Sequence, residues 1–215
     1  SARFYLLQSA PETADAEFTW QGFQLANNSL LADKLGNFAS RVIKFNAKRF
    51  DGVVPESDGT LNDHEYLSTA DTALEEIGSR ISKYEFKAAS KALMTACDAL
   101  NQFFDAMAPW KLIKSEDASD QLCCRNTLER CLAYLELLSR RMAPICPSAA
   151  EKLRTMLGSI ASPENAGDWG EAKSGNPPAQ LPSGIPTGKA EVLFPKIDNG
   201  TIEAEINRLE CAVEC

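Results

Sequence analysis

Between Trp20 and about Lys48, apolar side chains recur at Leu31, Leu35, Phe38, Val42 and Phe45, in alternating steps of four and three. That spacing lines one side of a helix, so a helix with one buried face is predicted here. Asp51-Gly52 stops it, and VVPESDG reads as a loop in which Val53 and Val54, ahead of Pro55, favour extended backbone. A second helix is predicted after Asn62 or Asp63, either of which can cap it, with Tyr66, Thr69, Ala70, Ala73, Leu74, Ile77 and Ile81 facing inward. A break near Lys83 to Glu85 separates it from a third, which runs from about Phe86 through Ala89, Leu93, Ala96, Cys97, Leu100 and Phe104 and is ended by Pro109. The fourth runs from about Ser119 through Leu122, Leu128, Cys131, Leu135 and Leu138 to Met142. APICP breaks it before a shorter helix over Ser148 to Leu157. Four or five such helices make an all-α antiparallel bundle over residues 19–157.

The flanks follow different patterns. Arg3 to Phe18 ends in the loop APETADAEF, where Pro11 and small polar residues break any period, and helix signals start only at Thr19. Over Gly158 to Lys189 the chain turns to Gly, Pro, Ser, Asn and Ala, which predicts a long surface-following loop over 158–190. The tail, 191–215, predicts a short extended piece and then a helix over about Gly200 to Leu209. Its apolar stripe of Ile202, Ile206 and Leu209 is expected to dock back onto the bundle.

Composition narrows the function classes. With 44% hydrophobic and 24% charged residues the chain is far from the signature of disorder. No apolar run reaches the roughly 18 residues of a membrane helix. The net charge of −8 means that any nucleic-acid contact must come from a local basic face. The 7 cysteines (97, 123, 124, 131, 146, 211 and 215) are odd in number and mostly sit within helical patterns, as expected of reduced, part-buried thiols in the cytosol. There is no initiator Met, and SARFYLLQSAPE begins mid-element, which reads as a fragment.

Candidate chemistry is sparse. A single histidine, no glycine-rich phosphate loop, no Ser-His-Asp set and no metal-ligand spacing leave no conventional catalytic site. His64 reads as an exposed first-turn residue, and Cys211 and Cys215, one turn apart, have no third ligand nearby. Beside the apolar face of the Trp20 to Lys48 helix runs a second stripe, Lys34, Asn37, Arg41, Lys44 and Lys48, again at steps of three and four. Its cations suit phosphate, and Asn37 carries a donor and an acceptor that can match a base edge. A plain solvated face has the same spacing. Trp110, fixed by Pro109 and followed by Lys111 and Lys114, offers a flat surface for an unstacked base, or else closes the core beneath a helix end. Trp20 reads as a core anchor and Trp169 as a surface or docking residue.

Two strings carry a resemblance. LANNSLLADKLGNFASRVIKF, followed about 60 residues later by APWKLIK, resembles the anticodon-binding domain of methionyl-tRNA synthetases. ARFYLLQSAPETADAEFTW is similar to that family's connector, which assigns 1–18 to a link from a catalytic domain. The likeness spans roughly Arg3 to Leu157, with a weaker echo in LFPKIDNGTIEAEINRLE, whose form suggests the cytosolic eukaryotic type.

The resemblance implies tRNA(Met) as partner, bound through a CAU anticodon. Trp110 would stack on the cytosine, and Asn37 and Arg41 would hydrogen-bond to anticodon bases. Lys34, Lys44, Lys48, Lys111 and Lys114 are candidate backbone contacts. Where some members have Asn one turn before the first reader this chain has Asp33, a source of repulsion for phosphate. The parent enzyme joins methionine to its tRNA using ATP, with zinc a further candidate cofactor. Its ATP-binding motifs and zinc knuckle are absent from these residues, so the fragment alone is expected to be inactive, cytoplasmic, and partnered with its own catalytic domain. Multi-synthetase or scaffold partners stay unassigned. The alternatives are a related bundle for leucine, isoleucine, valine or cysteine, and a non-enzymatic helical scaffold that binds protein.

Overall fold

A computed structural model describes residues 1–12, 17–60, 64–161 and 178–213, with side chains followed as far as 209. Among these the only β pairing is a bridge between Val53 and Pro186, and the rest is helix and connection.

The first helix was not legible in the sequence. α1 (Ala2–Gln8) buries Phe4 and Tyr5, two neighbouring residues that show no period over so short a run. The Tyr5 hydroxyl accepts from the Thr19 backbone N–H at 3.2 Å, and the Thr19 hydroxyl caps α2 (Trp20–Leu25) by accepting from Gly22 N–H at 3.1 Å. A Cβ on Gly22 would collide with the Tyr5 hydroxyl, so glycine permits this closure. Trp20 is half-buried rather than a core anchor: it packs edge-on against Phe18 at 5.2 Å, within an aromatic cluster with Tyr5 and Phe23.

The Trp20 to Lys48 helix is continuous, but its middle, Ala26–Gly36, is a π-helix between α2 and α3 (Asn37–Arg49). Leu31, Leu35, Phe38 and Val42 are fully buried, as their period predicts, and Phe45 is half-buried. Wide π turns of this kind are rare and concentrate at functional sites. Asp51 and Gly52 then take left-handed backbone (φ 50° and 70°) and end the helix.

α4 (Glu65–Ser82) and α5 (Phe86–Met107) form an antiparallel hairpin turned by left-handed Tyr84. Residues 61–63 lie outside the described residues. His64 is the N-cap of α4: its Nδ1 accepts from Tyr66 N–H at 3.4 Å, and its half-buried ring stacks on Tyr66, so it is neither exposed nor in the first turn. Thr69 faces solvent, bonding back to the Glu65 carbonyl, while Asp71 turns inward to accept from the Tyr134 hydroxyl at 2.8 Å. α6 (Pro109–Leu112), α7 (Ala118–Arg141, capped by Asp117) and α8 (Pro147–Leu157) complete the bundle. Phe38, Phe103, Phe104 and Tyr134 fill its centre, each contributing on the order of 2 to 3 kcal/mol by burial.

Part of the Gly158 to Lys189 segment is more ordered than its composition predicts. Residues 162–177, including Trp169, lie outside the described residues. The piece over 184–187 pairs with the VVP loop through Val54 N–H to Ile185 O (2.9 Å), Gly184 N–H to Val54 O (2.9 Å) and Thr187 N–H to Gly52 O (2.8 Å). Buried Glu129 receives Leu181 N–H at 2.7 Å.

The tail docks by amides more than by its apolar stripe. Asn28 holds Ile197 through both backbone groups, Asn27 donates to Pro195 O, and Gln24 donates to Ile197 O. α9 (Asn199–Val213) then buries Ile202 and half-buries Ile206, whereas Leu209 stays 51% exposed, so only its start is seated. Cys97, Cys124, Cys131 and Cys146 are buried free thiols. Burial pushes all four up in pKa, Cys124 and Cys146 to about 11, which keeps them protonated and unreactive at neutral pH. The Cys211 and Cys215 side chains lie outside the described residues.

Candidate nucleic-acid interface

Three side chains of the Trp20–Arg49 helix face three of α5 in a fixed register. Lys34 Nζ meets Asp98 at 2.6 Å, the Asn37 amide donates to Asn101 Oδ1 at 3.5 Å, and Arg41 meets Asp105 at 2.5 Å. The offset is 64 residues each time, so the two helices run in the same direction with their turns aligned. This corrects the reading of a basic face. Lys34 and Arg41 are neutralised within the protein, while Lys44, Lys48, Lys111 and Lys114 make no ion pair among the described residues.

Trp110 reaches this ladder through a sharp reversal. Ala108 ends α5 in left-handed backbone (φ 43°), a conformation that disfavours residues with a Cβ by about 1 kcal/mol, and Pro109 starts α6 at once. Trp110 therefore lies inside its own short helix and folds back over the end of α5, 5.7 Å from the Phe104 ring. The Arg41 guanidinium sits 5.0 Å from the Phe104 ring centre and 5.5 Å from that of Trp110. Arg41 is thus held between two aromatic faces and the Asp105 carboxylate, with N–H groups to spare, since a guanidinium has five. Trp110 is half-buried: part of its ring closes the bundle end and part is open.

Arg41 and Trp110 are in direct contact, and Asn37 stands one turn before Arg41, linked to Asn101. Asp33 makes a 2.7 Å ion pair with Lys196 of the tail, which offsets the repulsion expected of an unpaired carboxylate. Between Ala32–Ser40 and residues 191–196 lies a groove of roughly 560 Å³ with Asn37 in its wall. Sequence reasoning missed Asp98, Asn101, Asp105, Phe104 and Lys196 as parts of this face. The steps 98, 101, 105 repeat the steps 34, 37, 41, and that repetition was the available signal. Among the described residues no group of three His, Cys, Asp or Glu could hold a metal, so the zinc implied by resemblance has no ligand set there. No helix among them is long and apolar enough to cross a membrane.

Compared with known families, residues 54–212 match the anticodon binding domain of methionyl tRNA ligase. The chain belongs to that family. Residues 1–43 match the class I tRNA synthetases of the methionine type. The methionine–tRNA ligase of Salinibacter ruber is 35% identical over 217 residues, covering 96% of this chain and 30% of the relative. That of Protochlamydia amoebophila is 32% identical over 210 residues, covering 97% and 29%. A crystal structure of apo Mycobacterium tuberculosis methionyl-tRNA synthetase superposes with a TM-score of 0.76 at 26% identity, over 91% of this chain and 38% of that one. A structure of the same enzyme bound by methionyl-adenylate gives 0.75. The chain spans about a third of the length of these relatives, and the family's helical anticodon-binding fold accounts for its bundle. These relatives are bacterial and do not bear on the eukaryotic type.

Proposed function

We propose that this chain reads the CAU anticodon of tRNA(Met) for a methionine–tRNA ligase, with Asn37, Arg41 and Trp110 as the readers. The observation that carries the reading is the Arg41 guanidinium stacked within 5.5 Å of a half-open Trp110 ring. Trp110 takes the first base by stacking, which for single-stranded loops contributes on the order of 1 to 3 kcal/mol. Arg41 donates to a neighbouring base edge from a position fixed by Asp105 and Phe104. Lys44, Lys48, Lys111 and Lys114 supply phosphate contacts that a chain of net charge −8 cannot supply as a whole, and Lys34 joins them by leaving Asp98.

The role is positional. Holding the anticodon fixes the far end of the tRNA so that its acceptor end meets a cytoplasmic ligase's catalytic domain, where methionine, ATP and any zinc are handled. The test is a fluorescence anisotropy titration of the full chain with an anticodon stem-loop RNA and with the same stem closed by a tetraloop. Binding that requires the anticodon loop is the expected result; equal binding of both RNAs overturns the assignment.

A further inference from the structure

Tyr84 stands where glycine is the usual residue. α4 closes with two backbone bonds, Tyr84 N–H to Ile81 O and Glu85 N–H to Arg80 O, both at 2.9 Å. That pair marks a helix end turned by one left-handed residue, and Tyr84 is that residue, at φ 61°. A residue with a Cβ is strained there and glycine is not. Burial does not offset the strain, because Tyr84 is 77% exposed, with Phe86 edge-on at 6.2 Å. A bulky side chain kept out in solvent on strained backbone points to a contact with something outside the chain.

Its surroundings are cationic. Lys83 precedes it, and Lys87 and Lys91, four residues apart, share one face of α5. All three are exposed and make no ion pair among the described residues. The carboxylates beside them are engaged: Glu85 pairs with Arg80 at 2.7 Å, and Glu12 accepts from Lys87 N–H at 2.9 Å. Lys87 and Lys91 also line a groove of roughly 540 Å³ against α1, with Gln8 on its rim and Leu30 and Met94 in its floor. An aromatic face among unpaired cations suits an RNA strand, with a base on the ring and phosphates on the lysines.

This tip is far from the Arg41 and Trp110 face. α5 has 22 residues, so at about 1.5 Å per residue its start stands roughly 33 Å from its end. The tip lies instead beside α1, within the segment 1–43 that matches the class I synthetases. A tRNA held by its anticodon and reaching towards a catalytic domain on that side passes it.

We propose that the α4–α5 tip is a second RNA-binding site, at which Tyr84 stacks on an exposed base of the tRNA body and Lys83, Lys87 and Lys91 hold the adjoining phosphates. This rests on the reading that the chain holds tRNA by its anticodon. The left-handed turn keeps the Tyr84 ring outward, where a buried aromatic would be of no use to a base.

The experiment titrates the full chain with a whole tRNA(Met) transcript and with its isolated anticodon stem-loop, whose five base pairs span only about 17 Å at about 3.4 Å each. The whole tRNA is expected to bind more tightly. Tyr84→Gly is expected to weaken whole-tRNA binding at least about fivefold and to leave stem-loop binding unchanged. Its urea midpoint should stay level or rise, since glycine relieves the strain. Lys87→Ala with Lys91→Ala is expected to lower the slope of log affinity against log salt by about 1.4 to 1.8 for whole tRNA, the value for two phosphates, and not for the stem-loop. Unchanged whole-tRNA affinity in Tyr84→Gly, an unchanged slope in the lysine variant, or an equal loss on the stem-loop overturns the proposal. Native binding that depends on the anticodon loop but gains nothing from the tRNA body sinks only this second site, whereas loop-independent binding sinks the anticodon reading itself.

Discussion

Trp110→Ala separates the two duties of that ring. Truncating a fully buried Trp removes about 3 to 5 kcal/mol of stability. Trp110 is half-buried against Phe104 at 5.7 Å, so about half of that, roughly 2 kcal/mol, is expected, including about 0.5 to 1 kcal/mol from its contact with the Arg41 guanidinium. Binding of a CAU stem-loop should fall by about 1 to 3 kcal/mol, or between about fivefold and about 150-fold, if a base stacks on the open part of the ring. Urea denaturation measures the first quantity and anisotropy titration the second, both at 25 °C. Trp110→Phe keeps an aromatic face and should recover most of the stability and part of the affinity. A folded Trp110→Ala chain that binds the CAU stem-loop as tightly as the native one refutes the stacking role. A stability loss well beyond about 4 kcal/mol would place the whole ring in the core.

Other expectations follow from the same geometry. Arg41→Ala should weaken stem-loop binding and lower the slope of log affinity against log salt by about 0.7, the value for one single-strand phosphate; an unchanged slope assigns Arg41 to bases alone. Glu129 is fully buried, one of its oxygens lacks a hydrogen-bond partner, and burial raises its pKa. Its folded pKa lies above the unfolded value of about 4.3, so the stability it contributes is complete below that pH and is lost as pH rises through the folded value. Glu129→Gln, which still accepts from Leu181 N–H, should therefore raise Tm at pH 7, with the gain shrinking towards zero near pH 4; a gain independent of pH in calorimetry would refute this. Gly188→Ala should destabilise by about 1 to 3 kcal/mol in urea, because the added Cβ meets the Thr155 backbone carbonyl; native stability would mean that the 184–188 segment is not held against α8.

The long helices were legible because their apolar residues repeat at helical spacing over many turns: Leu31 to Val42 and Ala89 to Phe104 are buried as the period requires. What escaped was structure held by polar groups or by single reversals. Asn27, Asn28 and Gln24 strap the tail through side-chain amides, which leave no periodic trace, and the π stretch over Ala26–Gly36 keeps the same apolar residues while widening the turn. In the candidate site, the stripe of Lys34, Asn37 and Arg41 was visible, but its partners lie 64 residues away and cancel two of its charges. The placement of Trp110 over Arg41 depends on the left-handed backbone of Ala108, a residue with no preference for that conformation.

The central claim, that this face reads the first anticodon base, is tested most directly by two stem-loops differing only there, CAU and GAU, titrated against the full chain at one salt concentration. The account predicts that CAU binds tighter, by about tenfold, and that the ratio falls in Trp110→Ala. Equal affinity of the native chain for the two would contradict it.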